Sequence, residues 1–318
     1  MGRAAIAIHG GAGAIARAAL SAQQEQRYLQ ALKDVVAGGQ RILAAGGSAL
    51  DAVTEAVRLL EECPLFNAGV GSVFTHQGTH ELDACIMDGR TQDAGAVAGV
   101  AHIRNPVLAA RAVLEKSPHV LLCGSGAEQF AREQGMTPVA ADFFATDERW
   151  QQLQRARASQ QTLLDHDGAA SQSAPLDADR KLGTVGAVAC DSAGNLAAAT
   201  STGGMTNKQV GRIGDSPLPG AGCFSNQRVA VSCTGTGEVF IRTQAAYEVA
   251  ALMAYGGLTL AQASERVIFE TVPALGGSGG LIAIDAEGNI VQPFNTEGMY
   301  RGYGYANETP VVAIYRQA

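Results

Sequence analysis

Charged and aromatic side chains are scarce in this 318-residue chain: 17% of residues are Asp, Glu, Lys or Arg, and 5% are Phe, Trp or Tyr. The 23 basic residues fall short of the 30 acidic ones, giving a formal net charge of −7. That deficit excludes an electrostatic grip on phosphate backbones or anionic lipid, so neither nucleic acid nor a membrane is an expected partner. Long apolar runs are missing too. No stretch approaches the roughly 20 residues of a membrane span. The opening Met1-Gly2-Arg3-Ala4-Ala5-Ile6-Ala7-Ile8 is interrupted by His9-Gly10-Gly11 before it could form the apolar core of an export signal. A cytoplasmic protein is expected. The six cysteines (Cys63, Cys85, Cys123, Cys190, Cys223, Cys233) include no CxxC pair and several lie in apolar runs, which predicts buried thiols rather than disulfides.

Apolar residues and glycine are plentiful. At 47% hydrophobic, the chain is too apolar for disorder, and its length suits two domains or one large α/β unit. The 39 glycines exceed the usual ~7% without a collagen-like period, so some positions require close backbone approach or unusual dihedrals.

Apolar periodicity predicts a first strand over 4–8 running into the glycine turn His9-Gly10-Gly11-Ala12-Gly13. A helix carrying Tyr28, Leu32, Val35, Val36, Ile42 and Leu43 follows and stops at Gly46-Gly47. A second begins at Ser48, with Asp51 three residues on, and carries Leu50, Val53, Val57 and Leu60. Strands are expected over 82–87, 94–103, 119–123 and 229–233. Hairpins are expected over 185–200 and 281–291, turning at Asp191-Ser192-Ala193-Gly194-Asn195 and Asp285-Ala286-Glu287-Gly288-Asn289. Further helices should open at Asn105-Pro106, at Ser125 with Glu128, at about Glu238 (running to Tyr255) and at Thr259 with Gln262. Residues 151–180, rich in Gln, Ser, Ala and Asp without a sustained period, read as a linker. Hairpins interspersed with helix pairs point to sheets covered by helical layers.

Three motifs mislead. Gly11-Ala12-Gly13-Ala14-Ile15-Ala16 fits the dinucleotide fingerprint, but two helices in succession follow it where a Rossmann unit needs one helix and a parallel strand. Gly276-Gly277-Ser278-Gly279-Gly280 fits the serine-hydrolase elbow, yet a strand follows it instead of a helix. His76 and His80, beside Glu81, have metal-ligand spacing for a helix, but Gly78 places them in irregular chain.

The chemistry points elsewhere, to the junction Leu182-Gly183-Thr184-Val185, where the linker meets a strand at a threonine. Two further strands end in hydroxyls and glycines, at Thr200-Ser201-Thr202-Gly203-Gly204 and at Ser232-Cys233-Thr234-Gly235-Thr236-Gly237. Such ends, facing a strand-initial threonine, can supply a nucleophile and an oxyanion hole. The blocks HGGAGAI, ECPLFNAGVGSVF, ELDACIMDG, GTVGAVACD, TSTGGMTNK, GRIGDSPLPGAG and SCTGTGEVFIR resemble the plant-type L-asparaginases and isoaspartyl peptidases, closest to the bacterial type. These are N-terminal-nucleophile hydrolases that mature by cutting themselves.

The resemblance implies an α+β fold, a four-layer αββα sandwich cut into an α subunit (1–183, ending in the linker of about 151–183) and a β subunit (184–318). Cutting between Gly183 and Thr184 would make Thr184 the nucleophile, its new α-amino group, with a reference pKa near ~7.7–8.0, serving as base. By resemblance, Thr202 is its hydrogen-bond partner, and Thr234 with Gly235 forms the oxyanion hole. Arg212 takes the substrate α-carboxylate, Asp215 the α-ammonium, and Asn67 and Gly237 line the pocket. Main-chain carbonyls of Leu60, Glu61, Cys63, Phe66, Ala68 and Val70 would ring a structural sodium ion, with no cofactor needed for catalysis. The implied substrates are L-asparagine and β-aspartyl dipeptides, and the implied assembly is (αβ)2. The alternatives are a glycosylasparaginase-like amidase and, in a different class, a dinucleotide-binding protein using Gly11 and Gly13.

Overall fold

A computed structural model describes residues 3–15, 20–158 and 183–316. Most of the expected linker, and Ala16 of the dinucleotide-like motif, lie outside those residues. In chain order the elements are β1 (Ala5–Gly13), α1 (Ala22–Ala44), α2 (Ala49–Glu61), β2 (Leu82–Asp88), β3 (Ala94–Val100), α3 (Pro106–Lys116), β4 (Leu121–Cys123), α4 (Gly124–Glu133) and α5 (Asp147–Ala158). After the linker come β5 (Val185–Cys190), β6 (Leu196–Thr202), β7 (Cys223–Ser225), β8 (Val229–Gly235), α6 (Gly237–Thr243), α7 (Ala245–Ala254) and α8 (Leu260–Arg266). A π-helical turn (Val267–Thr271), α9 (Val272–Ala274), β9 (Gly279–Asp285), β10 (Ile290–Val291), β11 (Gly298–Tyr305) and β12 (Val311–Tyr315) complete the described chain.

The strands form an eight-stranded sheet in the order β12-β11-β1-β5-β6-β2-β3-β4 and a four-stranded sheet in the order β10-β9-β8-β7. All pairs are antiparallel except β3 with β4. The central strands of the large sheet are buried on both faces, which is why they read as continuous apolar runs. Along β1, Ile6 and Ile8 enter a core with residues of α1 and α2, such as Leu32, Val36, Val53 and Val57. Ala5 and Ala7 on the other face join a core with Val229, Val231, Leu281 and Ala283 of the small sheet. The second core also takes in Val249 of α7 and Ala263 of α8. The fold is thus a mixed α/β arrangement of two sheets and covering helices.

Several expectations hold. Ser48 caps α2 by accepting from the Asp51 amide, Asn105-Pro106 opens α3, and Thr259 with Gln262 forms a capping box on α8. All six cysteines are free, four of them buried, with Cys63 half-buried and Cys123 exposed.

Others need correction. His9 to Gly13 is not a turn: β1 continues through it, with a bulge between His9 and Ala12. Because β1 pairs antiparallel with both β11 and β5, the dinucleotide reading of Gly11 and Gly13 is withdrawn. Ser125 and Glu128 do not cap α4, which starts at Gly124 without a side-chain cap; Glu128 instead accepts from the amides of Ala101 and His102. The helix expected from Glu238 to Tyr255 breaks at Gln244, a non-glycine residue at φ 50°. There the Ala246 and Tyr247 amides donate to Ala221 and Gly220 carbonyls rather than to a preceding helical turn.

The first part of the expected linker is α5. Its buried residues are Arg149, Gln152 and Leu153, too polar to give an apolar period. Arg149 satisfies itself by donating from Nε to Gly71 O at 2.7 Å and from Nη1 to Gln152 Oε1 at 3.1 Å. His80, once a metal candidate, is buried with Nδ1 at 3.2 Å from Val73 O and its ring 4.1 Å from that of Phe74. Among the described residues no cluster of three His, Cys, Asp or Glu could hold a metal, and no helix is long and apolar enough to cross a membrane.

Candidate active site

Register builds the centre of the site. In the β5–β6 ladder Val185 lies opposite Ser201, so one further step brings Thr184 opposite Thr202. Thr184 is buried, and its Oγ1 donates to Thr202 Oγ1 at 3.2 Å. Thr202 Oγ1 in turn donates to the Gly183 carbonyl at 2.9 Å and accepts from the Gly204 amide at 2.9 Å. A second donor reaches the same carbonyl: Asn67 Nδ2, at 2.6 Å from Gly183 O and 2.7 Å from Gly204 O. Asn67 is fixed by its own Oδ1, which accepts from the Val73 amide at 2.9 Å. Glycine at 183 is a matter of room, since a Cβ there would run into Asn67. Two donors thus converge on the carbonyl oxygen next to the Thr184 hydroxyl, an oxyanion-hole arrangement.

A small cleft opens beside these groups, lined by Gly183, Thr184, Thr202, Gly204, Met205, Arg212, Gly214, Asp215, Ser216 and Gly235. Asp215 is buried, its Oδ2 has no hydrogen-bond partner among the described residues, and desolvation above all pushes its pKa up to about 7. Arg212 is engaged, donating from Nε and Nη2 to the Glu238 carboxylate at 2.9 Å each.

The family model described as Asparaginase matches residues 2–314. The chain belongs to the asparaginase family. The isoaspartyl peptidase of Salmonella typhimurium is 67% identical over 318 residues, the full length of both chains. That of Escherichia coli is 67% identical over 318 residues, covering 100% of this chain and 98% of the relative. The plant-type L-asparaginase of Pyrococcus furiosus is 40% identical over 305 residues, 96% of each chain. This asparaginase-family chain is therefore an enzyme, a hydrolase.

Of the residues expected in the site, Thr184, Thr202, Gly235, Arg212 and Asp215 share the cleft wall, and Asn67 reaches it through the Gly183 carbonyl. Gly237 lies behind the wall: a Cβ there would come within 2.8 Å of Arg212 Nη2 and 3.0 Å of Asp215 Oδ1. Thr234 is fully buried, and its Oγ1 accepts from the Ala12 amide at 3.2 Å. Met205, Gly214 and Ser216 were not singled out in the sequence, although they sit inside the TSTGGMTNK and GRIGDSPLPGAG blocks.

His9 also escaped sequence reasoning; its signal was a histidine in an otherwise apolar strand. Its Nδ1 lies 3.1 Å from Thr184 O and its Nε2 2.9 Å from Ser232 Oγ. A carbonyl only accepts, so Nδ1 carries the proton and Nε2 accepts from Ser232. Ser232 Oγ continues the chain to Thr200 Oγ1 at 2.7 Å. Burial lowers the His9 pKa from 6.5 to about 3, so the ring stays neutral at working pH. Between those two values the unfolded chain binds a proton that the folded one does not, and stability falls as pH drops. From pH 7 to 5 this group should cost the wild type about 2 kcal/mol. A His9→Gln variant, less stable at pH 7, should lose correspondingly less on acidification. Thermal melts at both pH values test this, and equal losses would refute it.

Proposed function

We propose that the protein is a self-processing amidohydrolase that hydrolyses β-aspartyl (isoaspartyl) dipeptides and L-asparagine through Thr184. The observation that carries this reading is the Thr184 hydroxyl beside a Gly183 carbonyl held by two donors, Thr202 Oγ1 and Asn67 Nδ2. The names of the full-length relatives support the substrate class. In the precursor, Thr184 Oγ1 attacks the Gly183 carbonyl carbon while Asn67 and Thr202 stabilise the oxyanion. The proton moves to the departing Thr184 nitrogen, leaving an ester. Water splits that ester into a Gly183 carboxylate and the Thr184 hydroxyl, beside the amine that the first step freed.

In the mature enzyme that amine takes the hydroxyl proton as Thr184 attacks the β-carbonyl of the substrate. Thr234 and Gly235 are assigned to that second oxyanion, with the leaving amine taking up the proton. A β-aspartyl ester forms, and water releases aspartate. Arg212 receives the α-carboxylate and Asp215 the α-ammonium. The neutral His9 ring holds the Thr184 carbonyl, which keeps the residue's amine and hydroxyl aligned after cutting.

We read the sheets and helices as the four-layer αββα sandwich of N-terminal-nucleophile hydrolases, cut into 1–183 and 184–318, cytoplasmic and paired as (αβ)2. Both fragments contribute strands to the large sheet, so they stay associated: β1 pairs with β5 across the cut. No cofactor takes part in catalysis on this reading. A structural sodium ion is assigned to the carbonyls of Leu60, Glu61, Cys63, Phe66, Ala68 and Val70. The loop suits a hard monovalent cation. Gly69, at φ 52°, brings its backbone against Glu61 O, and a Cβ on Gly71 would lie 2.9 Å from Phe66 O. The Glu61 carboxyl points elsewhere, accepting from Ser201 Oγ and the Val107 amide. Replacing sodium by tetramethylammonium at equal ionic strength should lower Tm by several degrees; identical melts would refute the sodium site.

A denaturing gel and rates on L-asparagine, β-aspartyl dipeptides and a glycosylated asparagine test the function. Two fragments and turnover of the first two substrates are expected. Preference for the glycosylated substrate would favour the glycosylasparaginase alternative.

A further inference from the structure

An arginine can grip a carboxylate by its side edge, Nε with Nη2, or by its end, Nη1 with Nη2. In Arg212 the side edge is taken by Glu238, with both hydrogen bonds at 2.9 Å. The end lies over Gly214, where a Cβ would come within 3.0 Å of Nη1, and beside Gly237 and Asp215 Oδ1. Gly214, Arg212 and Asp215 all line the cleft. Glu238 follows Gly237 directly in the first turn of α6, so the backbone that closes the pocket also sets the carboxylate against Arg212.

We propose that Glu238 is a positioning residue for substrate recognition, clamping the side edge of Arg212 so that its end faces the substrate α-carboxylate beside Asp215. The inference rests on the assignment of Arg212 and Asp215 to the two charged groups of the substrate. A free arginine side chain samples many rotamers, and a clamped one has already lost that freedom before substrate arrives. The clamp has a second, opposite effect. Burial is the main cause of the raised pKa of Asp215; the Arg212 charge opposes it, and the Glu238 and Asp83 charges add to it. Lys208 and Glu81 act on Asp83 in turn. Glu238 therefore aids the carboxylate contact and hinders ionisation of the group meant for the ammonium.

The test uses processed two-fragment enzyme carrying Glu238→Gln or Glu238→Ala, with Arg212→Lys alongside. KM and kcat for L-asparagine, and Ki for L-aspartate, are measured at pH 8 and pH 6. At pH 8 the Glu238 variants should raise KM and Ki roughly tenfold with kcat held within about twofold. Their loss of L-aspartate affinity between pH 8 and 6 should be smaller than in wild type, because Asp215 then ionises at lower pH. Simple loss of structure would not produce that relief at pH 6. Should Glu238→Ala fail to process, Glu238→Gln keeps the side-chain shape and serves as the deciding arm. Unchanged KM and Ki in the Glu238 variants, with Arg212→Lys impaired, would overturn the clamp alone. Unchanged binding in Arg212→Lys as well would overturn the pocket assignment beneath it.

Discussion

Thr184→Ala should run as a single 318-residue chain on a denaturing gel and show no hydrolysis of L-asparagine or β-aspartyl dipeptides. The reason is the double use of one hydroxyl. In the precursor Thr184 Oγ1 stands next to the Gly183 carbonyl within the Thr202 and Asn67 hydrogen-bond network. On the proposed mechanism it is also the nucleophile of the mature enzyme, with its own amine as base, so no neighbouring side chain can replace it. Loss of a nucleophile that works as a unit with its base costs on the order of 10⁶-fold in kcat. Supplying the variant as two separate fragments, which bypasses the cutting step, should restore no activity. Thr184→Ser keeps a hydroxyl and should process slowly. Intact mass and N-terminal sequencing of wild type should reveal a fragment starting Thr-Val-Gly-Ala; an active protein with the Gly183–Thr184 bond intact would sink the mechanism.

Asp215→Asn should lower kcat/KM on β-aspartyl dipeptides by roughly 10²–10³-fold, the cost of removing one partner of a buried charge contact. Asp215 is buried, and its Oδ2 has no hydrogen-bond partner among the described residues. Its pKa of about 7 adds a pH signature. The binding form is the carboxylate, so kcat/KM falls as pH drops through 7. The Thr184 amine, with its reference value near ~7.7–8.0, must also be unprotonated. Wild type should therefore lose activity with a slope approaching two on the acid side, and Asp215→Asn with a slope of one. Arg212→Lys belongs to the same pocket: an ammonium cannot reproduce the planar fork, so KM should rise although the charge is kept. Wild-type kinetics in both variants would dismiss the pocket assignment.

Much of the fold was legible because the strands carry their own signal. The runs at 82–87, 185–190 and 229–233 are buried along their whole length and mostly apolar, and the helices α1, α2 and α8 announce themselves by stripe or cap. What stayed hidden depended on neighbours distant in sequence. β11, written GMYRGYGY, looks like loop because its glycines have no side-chain pattern; Gly302 and Gly304 are small so that Val36 and Gln40 of α1 can lie against the strand. α5 hides because it buries an arginine and a glutamine that find partners in Gly71 and in each other. The break at Gln244 exists because the loop at Gly220 and Ala221 accepts the amides that a continuous helix would have used.

The site divides in the same way. The sequence alone determined its residue types and the family: a glycine–threonine junction at the start of a buried strand, hydroxyl-rich strand ends, and an arginine and an aspartate within one loop, in blocks specific enough to point to that family. Those are properties of residue type and order, and they survive without coordinates. Only the tertiary structure decided who faces whom. Antiparallel register set Thr184 against Thr202, and the loop after α2 delivered Asn67 to the Gly183 carbonyl. The start of α6 laid Glu238 along Arg212. A strand from the other end of the chain set neutral His9 against the Thr184 carbonyl. Hydrogen bonds and desolvation act over a few ångströms of space, and residues far apart in sequence, such as His9 with Thr184 and with Ser232, become neighbours only when strands pair and the two sheets close on each other.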